Sequence, residues 1–263
     1  MKQTFPTILL LGSLFLYSGS LYAVSNSAAQ TSGFTLFSDQ PNVTQWGVGI
    51  GVKYEQSPYR DYGSEYSPLP LIYVENKWLR LFGNNLDIKV GRWDNLKFAL
   101  HSEYAFGDGY KGSDAPVLND MQKRSGGFWA GPSVAWDTEI VTLYADYLFA
   151  GNKGQKAKLA AIRKFDYGDV TIAPYADIVW LNDKYVDYYY GVRPAEARPG
   201  RDAYDGKSTY AFSAGLNVSY ALSAHQSLSL DASVTRFGSG IDDSPLVDNT
   251  TIPQVSVGYL YHF

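Results

Sequence analysis

The sequence predicts an all-β protein: a transmembrane antiparallel up-and-down β-barrel of about twelve strands, within a range of ten to fourteen, after a cleaved signal peptide. Three observations carry this. A short apolar leader opens the chain, long stretches alternate apolar and polar residues, and the last of these stretches ends on Phe263. Composition agrees: 22 Tyr, 25 Gly and only 2 Met in 263 residues favour strands and turns over helices.

The leader reads "MKQTFPTILLLGSLFLYSGSLYAVSNSAAQ". Lys2 supplies the positive start, Ile8 to Tyr17 an apolar segment too short to span, and small residues allow cleavage after Ala23 or as late as Ala29. Residues 1–23 are therefore expected to be a signal peptide and 24–44 a flexible periplasmic lead-in, polar apart from "GFTLF". Residues 45–263 are expected to form the barrel. No later apolar run is long enough for a spanning helix, which excludes an inner-membrane helical protein. A net charge of −4 offers no basic field for nucleic acid. With no Cys there is no disulfide scaffold, thiolate metal site or cysteine nucleophile.

The strands follow in order from the period-two pattern. In 45–55, Trp46, Val48, Ile50, Val52 and Tyr54 share one face, and Gly47, Gly49, Gly51 and Lys53 the other. The same reading places strands at 66–75, 77–83, 85–91, 95–105, 126–136, 139–149, 156–167, 170–181, 208–220, 227–237 and 251–263. The stretch 77–91 is the weakest, since its two short strands also read as one long bulged strand. Aromatics mark the ends of the apolar faces, as in the girdles of outer-membrane barrels. Counting from a periplasmic start puts the long connections 106–125, 182–207 and 238–250 outside. Short turns, among them Glu75–Lys77, Asn84 and Trp93–Asn95, are assigned to the periplasmic rim. Strand 251–263 is expected to close the barrel. Its outward Val257, Tyr259, Tyr261 and Phe263 form the pattern read by the barrel-insertion machinery. A soluble sandwich would want less Tyr on its buried faces.

Four ordered motifs carry a resemblance. They are "WGVGIGVKYEQSPYRDYGSEYSPLPLIYVENKWLRLFG" at 46–83, "YYYGVRPAEA" at 188–197, "GIDDSPLV" at 240–247 and the closing "VGYLYHF". From about 45 to 263 the chain resembles the MipA/OmpV family, named for the MltA-interacting protein. The resemblance implies an outer-membrane barrel, in contact with lipid and lipopolysaccharide. It implies a scaffold role, since one founding member bridges a lytic transglycosylase and a murein synthase. Other members are described as porin-like or adhesin-like surface proteins. The family supplies no catalytic motif to carry over.

The residues themselves argue against an enzyme. His101 and Ser102 are neighbours on one strand, so their side chains point to opposite faces and cannot form a base–nucleophile pair. His225 lies in a predicted periplasmic turn and His262 next to the end. Loop aspartates, Asp108, Asp114 and Asp120 in one loop and Asp242, Asp243 and Asp248 in another, lack the spacing of a calcium loop, so no metal site is expected. "GDGYKGSD" at 107–114 precedes no helix and is not a phosphate cradle; no cofactor is expected.

Opposite the aromatic-bearing face lie Lys53, Glu55, Arg80, Asp87, Lys89, Lys97 and Glu103, then Asp146, Lys156, Lys158, Lys164, Asp177 and Asp231. These are the expected lumen charges. Opposite signs in a narrow bore pair, because an unpaired buried charge is costly. The expected lumen is narrow or loop-occluded. The function read from the sequence is a non-catalytic scaffold, with a passive channel for small solutes and a surface adhesin as the alternatives.

Overall fold

In the computed structural model, which describes residues 33–38, 42–105 and 109–263, strands dominate and close on themselves. In chain order they are β1 (Phe34–Leu36), β2 (Gln45–Gln56), β3 (Ser64–Glu75), β4 (Leu79–Phe82), β5 (Asn85–Trp93), β6 (Leu96–Tyr104) and β7 (Phe128–Asp137). Then follow β8 (Thr142–Phe149), β9 (Gln155–Ile162), β10 (Phe165–Tyr167), β11 (Val170–Leu181), β12 (Thr209–Ser223), β13 (Gln226–Phe237) and β14 (Thr251–His262). Two helices sit in loops, α1 (Asp183–Tyr190) and α2 (Ser239–Asp242). The expected signal peptide lies outside the described residues.

Setting aside β1 and β10, each strand pairs with the next along the chain, β14 pairs with β2, and β5 with β6 closes the ring. Of the 14 strands among the described residues, β1 and β10 are short additions to β5 and β11, which leaves 14 − 2 = 12 in the barrel. The period-two pattern is realised as outward and inward faces. Trp46, Val48, Ile50 and Val52 are exposed on β2 while Lys53 and Glu55 are buried. Exposed aromatics collect at the two ends of the wall, including Tyr66, Tyr104, Phe128 and Phe149 at the loop end and Trp46, Trp93, Trp136 and Phe263 at the other. This is the girdle arrangement of a membrane barrel. No helix among the described residues is long and apolar enough to cross a membrane; the strands cross it.

The seam between first and last barrel strands is tight. The Phe263 amide donates to the Trp46 carbonyl at 3.0 Å, and the two rings stack at 3.8 Å. Here Gly49 is required, because a Cβ would sit 2.0 Å from the Tyr259 carbonyl oxygen. The wall is weakest elsewhere. β4 has only four residues, with three register pairs to β3 and four to β5. Asn76 sets its start, its Oδ1 accepting from the Trp78 and Leu79 amides at 2.9 and 3.0 Å.

Two sequence expectations need correction. The Asn84 turn is not at the periplasmic rim, because β4 runs opposite to β3 and carries its tip toward the loop end. There the Asn84 side chain donates to the Tyr104 carbonyl, and the Tyr104 amide to the Asn84 carbonyl. The lead-in was expected to lack structure, yet Phe34–Leu36 forms β1, registered on Gly91–Trp93 of β5. It takes an edge of β5 that short β4 leaves unpaired. The Phe34 ring occupies the place a Cβ of Gly91 would need.

Candidate functional site

The inward faces carry most of the charges singled out from the sequence, and several meet in pairs, whereas Asp177 and Asp231 each keep a buried carboxylate oxygen without a hydrogen-bond partner among the described residues. Lys53 and Glu55 are bonded to one another and buried. Lys89 donates to Glu75 and to the Asn76 carbonyl, both at 2.7 Å, and Arg80 lies 3.6 Å from the same Glu75. His101 bonds Asp87 at 2.6 Å and lies 3.9 Å from Glu103, which also holds Lys156. Lys156 in turn stands over the buried Trp129 ring, 4.7 Å from its centre. Asp146 and Lys158 are half-buried register partners. Asp177 and Asp231 are buried, and Tyr175 donates its hydroxyl to Asp231 at 3.0 Å. Lys97 and Lys164 stand apart from this group. Both are exposed near the turn end, and Lys97 pairs with Asp137 at 2.5 Å.

Glu75 and His101 complete these pairs and were missed as lumen charges. Period two alone places Glu75 on the face of Leu71 and Tyr73, and His101 on the face of Glu103; Glu75 was assigned to a turn, and His101 was weighed only against a catalytic role. His101 is bonded to carboxylates, whereas Ser102 turns away and donates to the Leu86 carbonyl at 3.3 Å. His262 lies 3.4 Å from the Ser227 hydroxyl, and among the described residues no carboxylate bonds it.

The described parts of the outer loops fold inward and pack onto the upper end of the bore. A single buried apolar cluster joins Tyr59, Tyr110, Leu118, Tyr185, Tyr190 and Leu246 from the loops to inward strand residues such as Trp129, Leu181 and Phe237. Asn182 caps α1 by accepting from the Tyr185 amide at 2.9 Å. The buried Tyr185, Val186, Tyr189 and Tyr190 form one helical stripe facing the bore. Sequence reading left this stretch a loop, though an Asn cap and that spacing were signals.

Three buried charges latch the loops together. Arg124 holds Glu196 at 3.0 Å and donates to the Tyr188 and Gln122 carbonyls, both at 2.9 Å. Arg201 donates to the carbonyls of Val117 at 2.5 Å and Asn119 at 2.8 Å. Burial pushes the Glu196 carboxyl up, but the Gln122 amide, Arg124 and the Arg193 amide outweigh it and hold it below the usual range. Tyr59 donates to the Tyr189 carbonyl at 3.0 Å, and Ser244 to that of Tyr190 at 2.6 Å.

The loop aspartates do not converge. Asp114 accepts from the Lys111 amide in a local turn, and Asp120 is exposed near Arg198. Asp108 lies outside the described residues, and among those described no three His, Cys, Asp or Glu side chains gather as metal ligands.

The family model described as MltA-interacting protein MipA matches residues 48–263. The MltA-interacting protein of Escherichia coli (strain K12) is 27% identical over 93% of this chain and 96% of its own. Outer membrane protein Omp26La of Vibrio anguillarum is 26% identical over 83% of this chain and 87% of its own. Outer membrane protein OmpV of Vibrio cholerae is 28% identical over 70% of each. Among solved structures, the NanC porin aligns with 83% of this chain and 98% of its own at a TM-score of 0.41 and 9% identity. The barrel, its girdles and this match over nearly the whole wall lead to one conclusion: the chain is an outer-membrane β-barrel that belongs to the MipA family.

Proposed function

We propose that this barrel is a non-catalytic scaffold at the outer membrane, whose partner is a murein hydrolase in the periplasm and, through it, a murein synthase. The observation that carries this is the closed outer mouth. An open porin needs a bore that water and ions can enter, whereas here the Arg124–Glu196 latch and the apolar cluster fill the entrance. A relative is named as interacting with MltA, and a lytic transglycosylase works in the periplasm, on the turn side of the wall.

The short turns there expose little surface, while a stable complex takes roughly 800 Å² from each partner. The segment around β1 supplies more. Phe34 and Leu36 are 55% and 62% exposed on the edge of β5, a ready apolar contact next to the Trp93 turn. Deleting 30–42 is expected to weaken pull-down of the lytic transglycosylase while leaving the heat-modifiable barrel at its normal level. Unchanged pull-down after that deletion, with loss on altering 182–207 instead, would move the interface outside and favour an adhesin.

A further inference from the structure

One stretch of the inward wall holds an acid that no base answers. Register sets Asn217, Asp231, Ser256 and Lys53 side by side on β12, β13, β14 and β2, all of them inward and buried. Residues opposite one another on one face have Cβ atoms about 5 Å apart. Asp231, 4% exposed, is the acid of this row. Asn217 and Ser256 flank it, Ser219 and Gln254 lie on its diagonals, and Ser229 and Ser233 sit on its own strand. All are neutral and all carry oxygen. Lys53 stands one strand beyond Ser256, and its ammonium is bonded to Glu55. Among the described residues no cationic side chain pairs with Asp231.

Two side chains close over this row. Tyr175 lies across Gly215, where a Cβ would stand, and donates its hydroxyl to Asp231 Oδ1 at 3.0 Å. Leu71 covers Gly258 in the same way, 2.9 Å from the place of its Cβ. Beneath them Asp231 Oδ2 and Ser256 Oγ are shut from solvent, and neither has a hydrogen-bond partner among the described residues. Ser256 is 1% exposed. The two oxygens come from register partners on one face, yet they do not bond each other. A buried carboxylate compensated by neither water nor a base is costly.

The chemistry of the row is that of a hard cation, which takes oxygen ligands. One carboxylate matches one positive charge. Asp177, the other acid with an unbonded buried oxygen, registers through Ser213 with Thr235. Thr235 is four residues, about 13 Å, along β13 from Asp231, so a divalent ion would lack a second anion. We propose that Asp231 Oδ2 and Ser256 Oγ hold a small monovalent cation of the sodium class between β13 and β14. The ion compensates the buried carboxylate and ties the closing strand to its neighbour from inside the wall. This site goes beyond the scaffold reading and depends on no periplasmic partner.

The test uses the folded barrel in detergent micelles at mildly alkaline pH. The readout is the temperature at which the heat-modifiable band is lost. Sodium chloride is exchanged for choline chloride at constant ionic strength, choline being too large for the site. Sodium is expected to raise the midpoint along a saturating curve. Ser256→Ala should need about tenfold more sodium for half the effect. Asp231→Asn should lose the sodium response and, in choline, outlast the native protein, because the uncompensated charge is gone. Asp177→Asn should keep the response. Equal native midpoints in sodium and choline would overturn the site; if that midpoint also falls as pH rises, Asp231 carries a proton instead. A sodium response unchanged in Asp231→Asn, or an unshifted curve in Ser256→Ala, would overturn it as well.

Discussion

At the scale of single residues, Glu196 is the group on which the outer closure turns. It accepts from two backbone amides and from Arg124 while buried, so neutralising it strands a buried guanidinium. Glu196→Gln keeps the shape and removes the charge, and is expected to destabilise the loop cluster by about 1–3 kcal/mol. The readout is trypsin cleavage within 105–127 and 182–208 on whole cells, which should rise while barrel assembly is unchanged. Acid should do the same to the native protein. The folded carboxyl lies below its ordinary 4.5, so its contribution is complete above that value and is lost as pH falls through the depressed one. Cleavage with an acid-active protease should therefore increase only below about 4.5 in the native protein, and be pH-independent in Glu196→Gln. Equal protection of both proteins at neutral pH would show that the apolar cluster alone holds the loops.

At the scale of elements, β14 carries the closing seam, with Val257, Tyr261 and Phe263 exposed along its outward face and Tyr259 half-buried among them. We read these four as the insertion signal. Replacing Tyr261 and Phe263 by Ser removes the ring stacked on Trp46 and its neighbour 5.0 Å away. Less heat-modifiable barrel in the outer membrane and more degradation are expected. Normal levels of the double variant would show that the seam's backbone register suffices without the rings. β4 is the contrasting element, joined by the fewest pairs in the wall, and the β1 addition lies beside it.

At the scale of the whole molecule, the scaffold reading rests on lumen charges that largely pair and on loops packed over the outer mouth. Reconstituted protein in planar bilayers is expected to show small or no steady conductance. Large, stable single-channel currents would favour the passive channel over the scaffold.

Much of this molecule was legible in the sequence because a barrel strand is a local code. Alternate residues must satisfy lipid on one side and a polar bore on the other, so period two and girdle aromatics mark each strand wherever it ends up. Strand 170–181 coincides with β11, and the inward parity of Lys53, Glu55, Lys156 and Asp231 follows from the same rule. What the sequence by itself determined was therefore the fold, the faces and the family. The tertiary structure alone decided which distant groups meet. Arg124 and Glu196 are 72 residues apart in loops with no periodicity, and their pairing exists only once closure brings those loops over one mouth. Likewise, the Phe34–Leu36 addition depends on how short β4 is relative to its neighbours. That is a matter of hydrogen-bond register between strands, and side-chain pattern along one strand does not encode it.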